Sequence, residues 1–142
     1  MIYLDYQATT PLAPEARDAM LRWLDGPGGT GFGNPHSAHR MGRQAKAAVE
    51  LARDQVAALF PAGGKIVFTS GATEALNLAI RGSGRGGTVS YSAIEHSAVG
   101  DTAQAAGPSH VLNVAKDGQC NTRQDVPDNT RLICVMQVNN EI

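Results

Sequence analysis

The 142-residue sequence predicts an α/β fold: a mostly parallel sheet covered by helices. Three observations carry that expectation. From Lys65 onward strand-like and helix-like runs alternate, at 66–69, 73–81, 88–92, 97–106, 110–114 and 132–138. The last of them, Leu132-Ile-Cys-Val-Met-Gln-Val138, is nearly all apolar, the pattern of a strand buried on both faces. Between the first strand and the first helix of this series stands Gly71-Ala72-Thr73, small residues where a strand turns into a helix start.

The elements follow in order. Residues 2–4 read as a short strand and 6–11 as loop. A helix is predicted over 14–24, since proline suits a first turn, Glu15 complements its positive end, and Ala16, Met20 and Trp23/Leu24 form one apolar face. The run 26–33 holds five glycines in eight residues, a composition that predicts a mobile connection or a loop ordered at a binding site or subunit contact. Apolar residues at three-to-four spacing (Met41, Ala45, Ala48/Val49, Ala52, Val56, Leu59) then predict a scaffold helix over 37–60, about 36 Å long. Pro61-Ala-Gly-Gly64 stops it. After the alternating series, Lys116-Asp-Gly118 reads as a turn. The sequence thus divides into an N-terminal segment, 1–60, and an incomplete α/β domain, 61–142. An apolar strand followed by four residues and no covering helix predicts the front part of a larger α/β protein.

Composition narrows the function classes. Apolar content of 42% and charged content of 18% describe a globular chain, and a formal net charge of −1 gives no basis for binding nucleic acid. No apolar run approaches the roughly 20 residues that span a bilayer, and the acid at Asp5 is foreign to a secretion signal, so a cytoplasmic location and no membrane partner are expected. Cys120 and Cys134 are too few for a disulfide framework and lack metal-ligand spacing, so no metal is expected; Cys134, inside an apolar run, reads as a core residue.

Chemistry gathers at strand exits, where open α/β sheets bind ligands. The start of a helix leaves backbone N–H groups unpaired and carries partial positive charge, so the turn at Gly71, Ala72 and Thr73 forms a cup for a phosphate, with the Thr73 hydroxyl as a further donor. An ordinary turn capped by Ser70 is the plainer alternative. His96, preceded by Glu95, follows the strand at 88–92, and Asn139-Asn140-Glu141 follows the last strand.

In order and spacing, Tyr3-Leu-Asp-Tyr-Gln-Ala-Thr-Thr-Pro11, Phe32-Gly-Asn-Pro-His-Ser-Ala-His39, Ile66-Val-Phe-Thr-Ser-Gly-Ala-Thr-Glu74, Glu95-His96 and Val138-Asn-Asn-Glu-Ile142 resemble the cysteine desulfurases. These are class V aminotransferase-like enzymes of fold-type I that use pyridoxal 5′-phosphate (PLP). The likeness covers the whole chain but only the front part of the family's large cofactor-binding domain. It implies that Ala72 and Thr73 contact the cofactor phosphate, that His96 stacks on the pyridine ring and moves protons, and that Asn140 bonds the phenolic oxygen. It also places Ala8, Thr9 and Thr10 near the substrate and Asn34 and His36 near the active site. The implied reaction removes sulfur from L-cysteine, leaving L-alanine and a protein persulfide that feeds iron–sulfur cluster assembly through an acceptor or scaffold protein. A homodimer is implied for the full-length form.

The chain lacks parts of the family's machinery. Lys46, Lys65 and Lys116 have none of the context of the Schiff-base lysine, and Cys120, in a polar turn, does not match the persulfide cysteine. The 142 residues alone are therefore expected to be inactive. Rival readings are a selenocysteine lyase or another class V carbon–sulfur lyase, and a non-catalytic remnant that keeps the cup. A nucleotide-binding protein is disfavoured, since no Gly-x-x-x-x-Gly-Lys-Ser/Thr or Gly-x-Gly-x-x-Gly follows a strand.

Overall fold

A computed structural model describes residues 2–6, 8–61, 63–120 and 126–139. The chain forms two compact units, Met1–Phe68 and Thr69–Ile142.

The first unit is built on two helices, α1 (Pro14–Leu21) and α2 (Arg40–Ala57). Helix α1 stops three residues short of the predicted end, and Trp23 and Leu24 continue it as a tighter turn, their N–H groups bonding the carbonyls of Met20 and Leu21. Helix α2 starts later than predicted because residues 34–39 have their own geometry. The Asn34 side chain accepts from His36 N–H, the Asn34 carbonyl accepts from Ser37 N–H, and His39 caps the helix, its Nδ1 accepting from Gly42 N–H at 3.2 Å. At the far end Leu59 and Phe60 bond back three residues, so the helix tightens before Pro61.

Of the two readings of the glycine run, a mobile connection or an ordered loop, its close backbone packing fits the ordered one. It opens with a 3-10 turn, Gly26–Gly28, and then packs backbone against backbone. A Cβ on Gly31 would stand 1.6 Å from the Arg22 carbonyl oxygen; one on Gly33, where φ is 152°, would stand 2.5 Å from that of Met41. Gly42 on α2 faces the Ser37 carbonyl oxygen at 2.3 Å in the same sense. These glycines are contact points, and only a residue without a side chain fits them.

Two predicted strands do not form. At the N-terminus the Tyr3 hydroxyl donates to the carbonyls of Asp5 and Thr9, at 2.8 and 3.1 Å, folding the segment on itself. At 66–69 the Ile66 carbonyl is taken by Arg53 Nη1, and the same guanidinium lies 5.1 Å from the Phe68 ring centre. A strand needs a neighbour to pair with, and α2 holds this one instead.

The second unit is the α/β part. Helix α3 (Ala72–Gly82) precedes β1 (Thr88–Ser92); α4 (Ser97–Ala106) joins β1 to β2 (Ser109–Leu112), and β3 (Thr130–Cys134) follows. The sheet order is β2-β1-β3 and both pairings are parallel, as the sequence predicts. Helices α3 and α4 pack together on one face, where Ile80, Val89, Tyr91, Val99 and Ala103 are buried with Leu76, Ala106, Leu132 and Cys134 around them. The Tyr91 hydroxyl accepts from Gln104 Nε2 at 3.1 Å, so its buried polar end is paired.

Strand β1 alternates polar and apolar residues, yet all five are buried. Its hydroxyls make this affordable: Thr88 donates to Asn129 Oδ1, Ser90 pairs with Thr130 and Ser92 donates to Glu95, each within 3.1 Å. Strand β3 ends earlier than its apolar run because the Met136 N–H turns to the Glu95 carboxylate instead of a neighbouring strand. After β2 the chain makes the predicted turn at Lys116–Gly118, where Gly118 N–H bonds the Ala115 carbonyl with φ at 79°, and Cys120 returns to bridge Val114.

Candidate active site

The candidate site begins at the carboxyl end of β1. Helix α4 leaves β1 there, and His96 is its N-cap: Nδ1 accepts from Ala98 N–H at 3.1 Å. This bond requires Nδ1 to be unprotonated, so the neutral ring carries its proton on Nε2. The imidazole is exposed. Helix α3 packs against α4. Its last turn is fixed at the amino end of the sheet, where Arg131, the second residue of β3, donates from Nη1 to the Ile80 carbonyl and the Ser83 hydroxyl. Leu76 and Ile80 both pack in the core.

The start of α3 is open. Gly71 is the N-cap and gives no side-chain hydrogen bond, unlike His39 on α2 and His96 on α4. Ala72 and Thr73, the first two helical residues, are exposed, and a Cβ added to Gly71 would meet no heavy atom within 4 Å. Ser70, the alternative cap, is committed elsewhere: its N–H and hydroxyl both donate to Glu74 Oε2 at 2.6 Å. The exposure of Ala72 and Thr73 and the clearance at Gly71 leave room for a phosphate group at the start of α3.

The two Ser70 bonds, the hydroxyl first and then the backbone N–H, hold the Glu74 carboxyl below the usual carboxylate range. A depressed folded value stabilises the fold above the ordinary carboxylate range and loses that contribution as pH falls through the folded value. Acidification is thus expected to loosen the start of α3, read as a lower protection factor of the Ser70 amide relative to its intrinsic exchange rate at each pH, and Glu74→Gln should flatten this pH dependence. An unchanged profile in Glu74→Gln would remove Glu74 as its source.

A tie that the sequence reading missed joins the exits of β1 and β3. Glu95 Oε1 accepts from the Ser92 hydroxyl at 2.9 Å and from Met136 N–H, and Asn139 Nδ2 donates to the Ile94 carbonyl at 2.9 Å. The first half was visible as Ser92-Ala-Ile-Glu95, a Ser-x-x-Glu spacing; the long-range half had no local signal. Asn140 lies outside the described residues. Ala8, Thr9, Thr10, Asn34 and His36 belong to the first unit, whereas Ala72, Thr73 and His96 belong to the second.

Cys134 is half-buried, and burial, with the Glu95 charge second, pushes its thiol up. It is a core residue, poorly suited to act as a thiolate nucleophile. Among the described residues no three His, Cys, Asp or Glu side chains gather as metal ligands, and no helix is long and apolar enough to cross a membrane. A cavity of about 590 Å³ lined by Trp23, Leu24, Pro27 and Phe32 belongs to the first unit and includes none of the site residues.

The family model for aminotransferase class-V matches residues 2–142. The sequence is 43% identical over 155 residues to the cysteine desulfurase IscS of Photorhabdus laumondii, taking in 99% of this chain and 38% of that protein. It is 41% identical over 157 residues to the mitosomal cysteine desulfurase of Encephalitozoon cuniculi, with 99% and 35% covered. Among solved structures, a NifS-like protein from Rickettsia africae superposes with a TM-score of 0.78 at 28% identity, over 99% of this chain and 41% of that one. SspA in complex with cysteine superposes at 0.83 and 32%, over 99% and 43%. The chain belongs to the aminotransferase class-V family. It spans little more than a third of the length of the curated relatives it matches.

Proposed function

We propose that this chain is the front part of a PLP-dependent cysteine desulfurase. The observations that support the reading are the uncapped start of α3, with exposed Ala72 and Thr73 and clear space at Gly71, and the exposed His96 at the cap of α4. In this reading the amides of residues 72 and 73 and the Thr73 hydroxyl hold the cofactor phosphate, His96 lies against the pyridine ring, and Asn140 bonds the phenolic oxygen. When bound, PLP supplies an electron sink that weakens bonds in the substrate amino acid. His96 contributes a flat face and a proton donor at Nε2, since Nδ1 is held by Ala98. The substrate is L-cysteine, a reading supported by the SspA structure, which is a complex with cysteine, and the products are L-alanine and a persulfide on a cysteine that neither Cys120 nor Cys134 supplies. An acceptor or iron–sulfur scaffold protein then takes the sulfur. Residues 1–60 serve as scaffold and 61–142 as part of the cofactor-binding domain of a cytoplasmic homodimer.

Two measurements test this. In the full-length protein, alanine formation from L-cysteine should fall at least about a hundredfold in His96→Asn, while thermal stability stays close to wild type, because asparagine also caps a helix. His96→Ala should lose the cap as well, at a cost of about 1 kcal/mol. Full activity in His96→Asn would remove the ring from the chemistry. The 142 residues alone, given PLP and L-cysteine, should make alanine no faster than free PLP, because Lys46, Lys65 and Lys116 are the only lysines they hold.

A further inference from the structure

We infer that Glu95 and Asn139 act as a two-point clamp that positions His96 against the exit of β3, making Glu95 a positioning residue of the site. The inference rests on the cofactor reading above for its consequence, but on the hydrogen bonds for its existence. The loop between β1 and α4, which carries His96, has one polar anchor at each end of Ile94-Glu95. Through Glu95 it holds the N–H of Met136, and through the Ile94 carbonyl it is held by Asn139. The partners stand 41 and 45 residues apart in sequence, so both contacts report tertiary placement. The Ser92 hydroxyl, at the buried end of β1, fixes the same Glu95 oxygen from below.

The chemistry of Glu95 supports this role over a charge-pairing one. Its carboxylate is half-buried and forms no ion pair with any of the described residues. Both donors it satisfies, the Ser92 hydroxyl and the Met136 N–H, would be served equally by a neutral amide oxygen. Its function in the fold is therefore geometric: it accepts two hydrogen bonds at one atom, next to the histidine. His96 is the following residue, so a shift of the Glu95 backbone is carried into it, while its own cap on Ala98 fixes the ring relative to α4. Asn140, which the cofactor reading places on the phenolic oxygen, directly follows Asn139 in the sequence. The clamp thus links the two segments that would flank one ring.

The test uses the full chain with PLP added, comparing wild type with Glu95→Ala, Glu95→Gln and Asn139→Ala. In Glu95→Ala the Met136 amide should exchange at least about tenfold faster under native conditions. The circular dichroism induced in the bound pyridoxal chromophore should disappear, while the affinity conferred by the phosphate changes less than about threefold. Glu95→Gln should restore both the protection and the signal, because its amide oxygen accepts the same bonds. Asn139→Ala, which releases the other tie, should lose the signal as well. Equal Met136 protection in wild type and Glu95→Ala would overturn the clamp, as would loss of protection that Gln does not restore. If wild type gives no pyridoxal signal, the cofactor reading fails, and the Met136 exchange by itself still supports or overturns the clamp.

Discussion

Gly31→Ala is expected to destabilise the first unit by about 3 kcal/mol, enough to unfold a marginal domain. The cause is geometric: the new Cβ would overlap the Arg22 carbonyl oxygen at 1.6 Å and approach Arg22 C at 2.6 Å and Trp23 Cα at 3.0 Å. All three are backbone atoms at the end of α1, so no side-chain rotation can relieve the clash. The same run contains its own control. A Cβ on Gly28 meets nothing within 4 Å, so Gly28→Ala should stay within about 0.5 kcal/mol of wild type. Thermal melts of the two variants decide between a packed loop and a slack one. Equal melting temperatures would mean the glycines are there for flexibility, as composition suggests, and that the packing of this segment is wrong.

The second large effect concerns the cup. Gly71→Val should weaken the binding of PLP by about ten- to a hundredfold, the value of one charge-assisted hydrogen bond. The fold should hardly register the change, because Gly71 has extended backbone angles (φ 166°, ψ −179°) and free space where its Cβ would stand. Loss of ligand with retention of the fold separates a binding site from a structural turn. A calorimetric titration of wild type and variant, beside their melting curves, checks it. Affinity unchanged by a valine in that space would show that the anion does not approach there.

How much of this was legible in the residues depends on how far each signal reaches. Strand β1 and helix α4 have the predicted bounds, 88–92 and 97–106, because both are fixed locally, the strand by its residue types and the helix by the cap at His96. The start of α3 was legible for the same reason, as small residues after an apolar run. The segment 66–69 has every local mark of a strand and is none, because Arg53, far off in the sequence, takes its carbonyl. The two faces of β1 misled in the opposite sense: Thr88-Val-Ser-Tyr-Ser92 alternates like a half-exposed strand, and only the hydroxyl partners on Asn129, Thr130 and Glu95 reveal why it is buried throughout. The glycine run could not be read from composition, since flexibility and close packing call for the same residue. In the candidate site, residues 72, 73 and 96 were proposed from local sequence, whereas the bonds of Glu95 and Asn139 span more than forty residues and show only in three dimensions.

The central claim is that the first amides of α3 bind a phosphate beside His96, and amide chemical shifts recorded during titration with PLP test it most directly. The resonances of Ala72, Thr73 and Glu74 should move with PLP, move less with inorganic phosphate, and stay still with pyridoxal, which lacks the phosphate. The imidazole resonances of His96 should move with PLP and stay still with inorganic phosphate. Shifts that follow pyridoxal as strongly as PLP, or that leave residues 72–74 unmoved, would contradict the account.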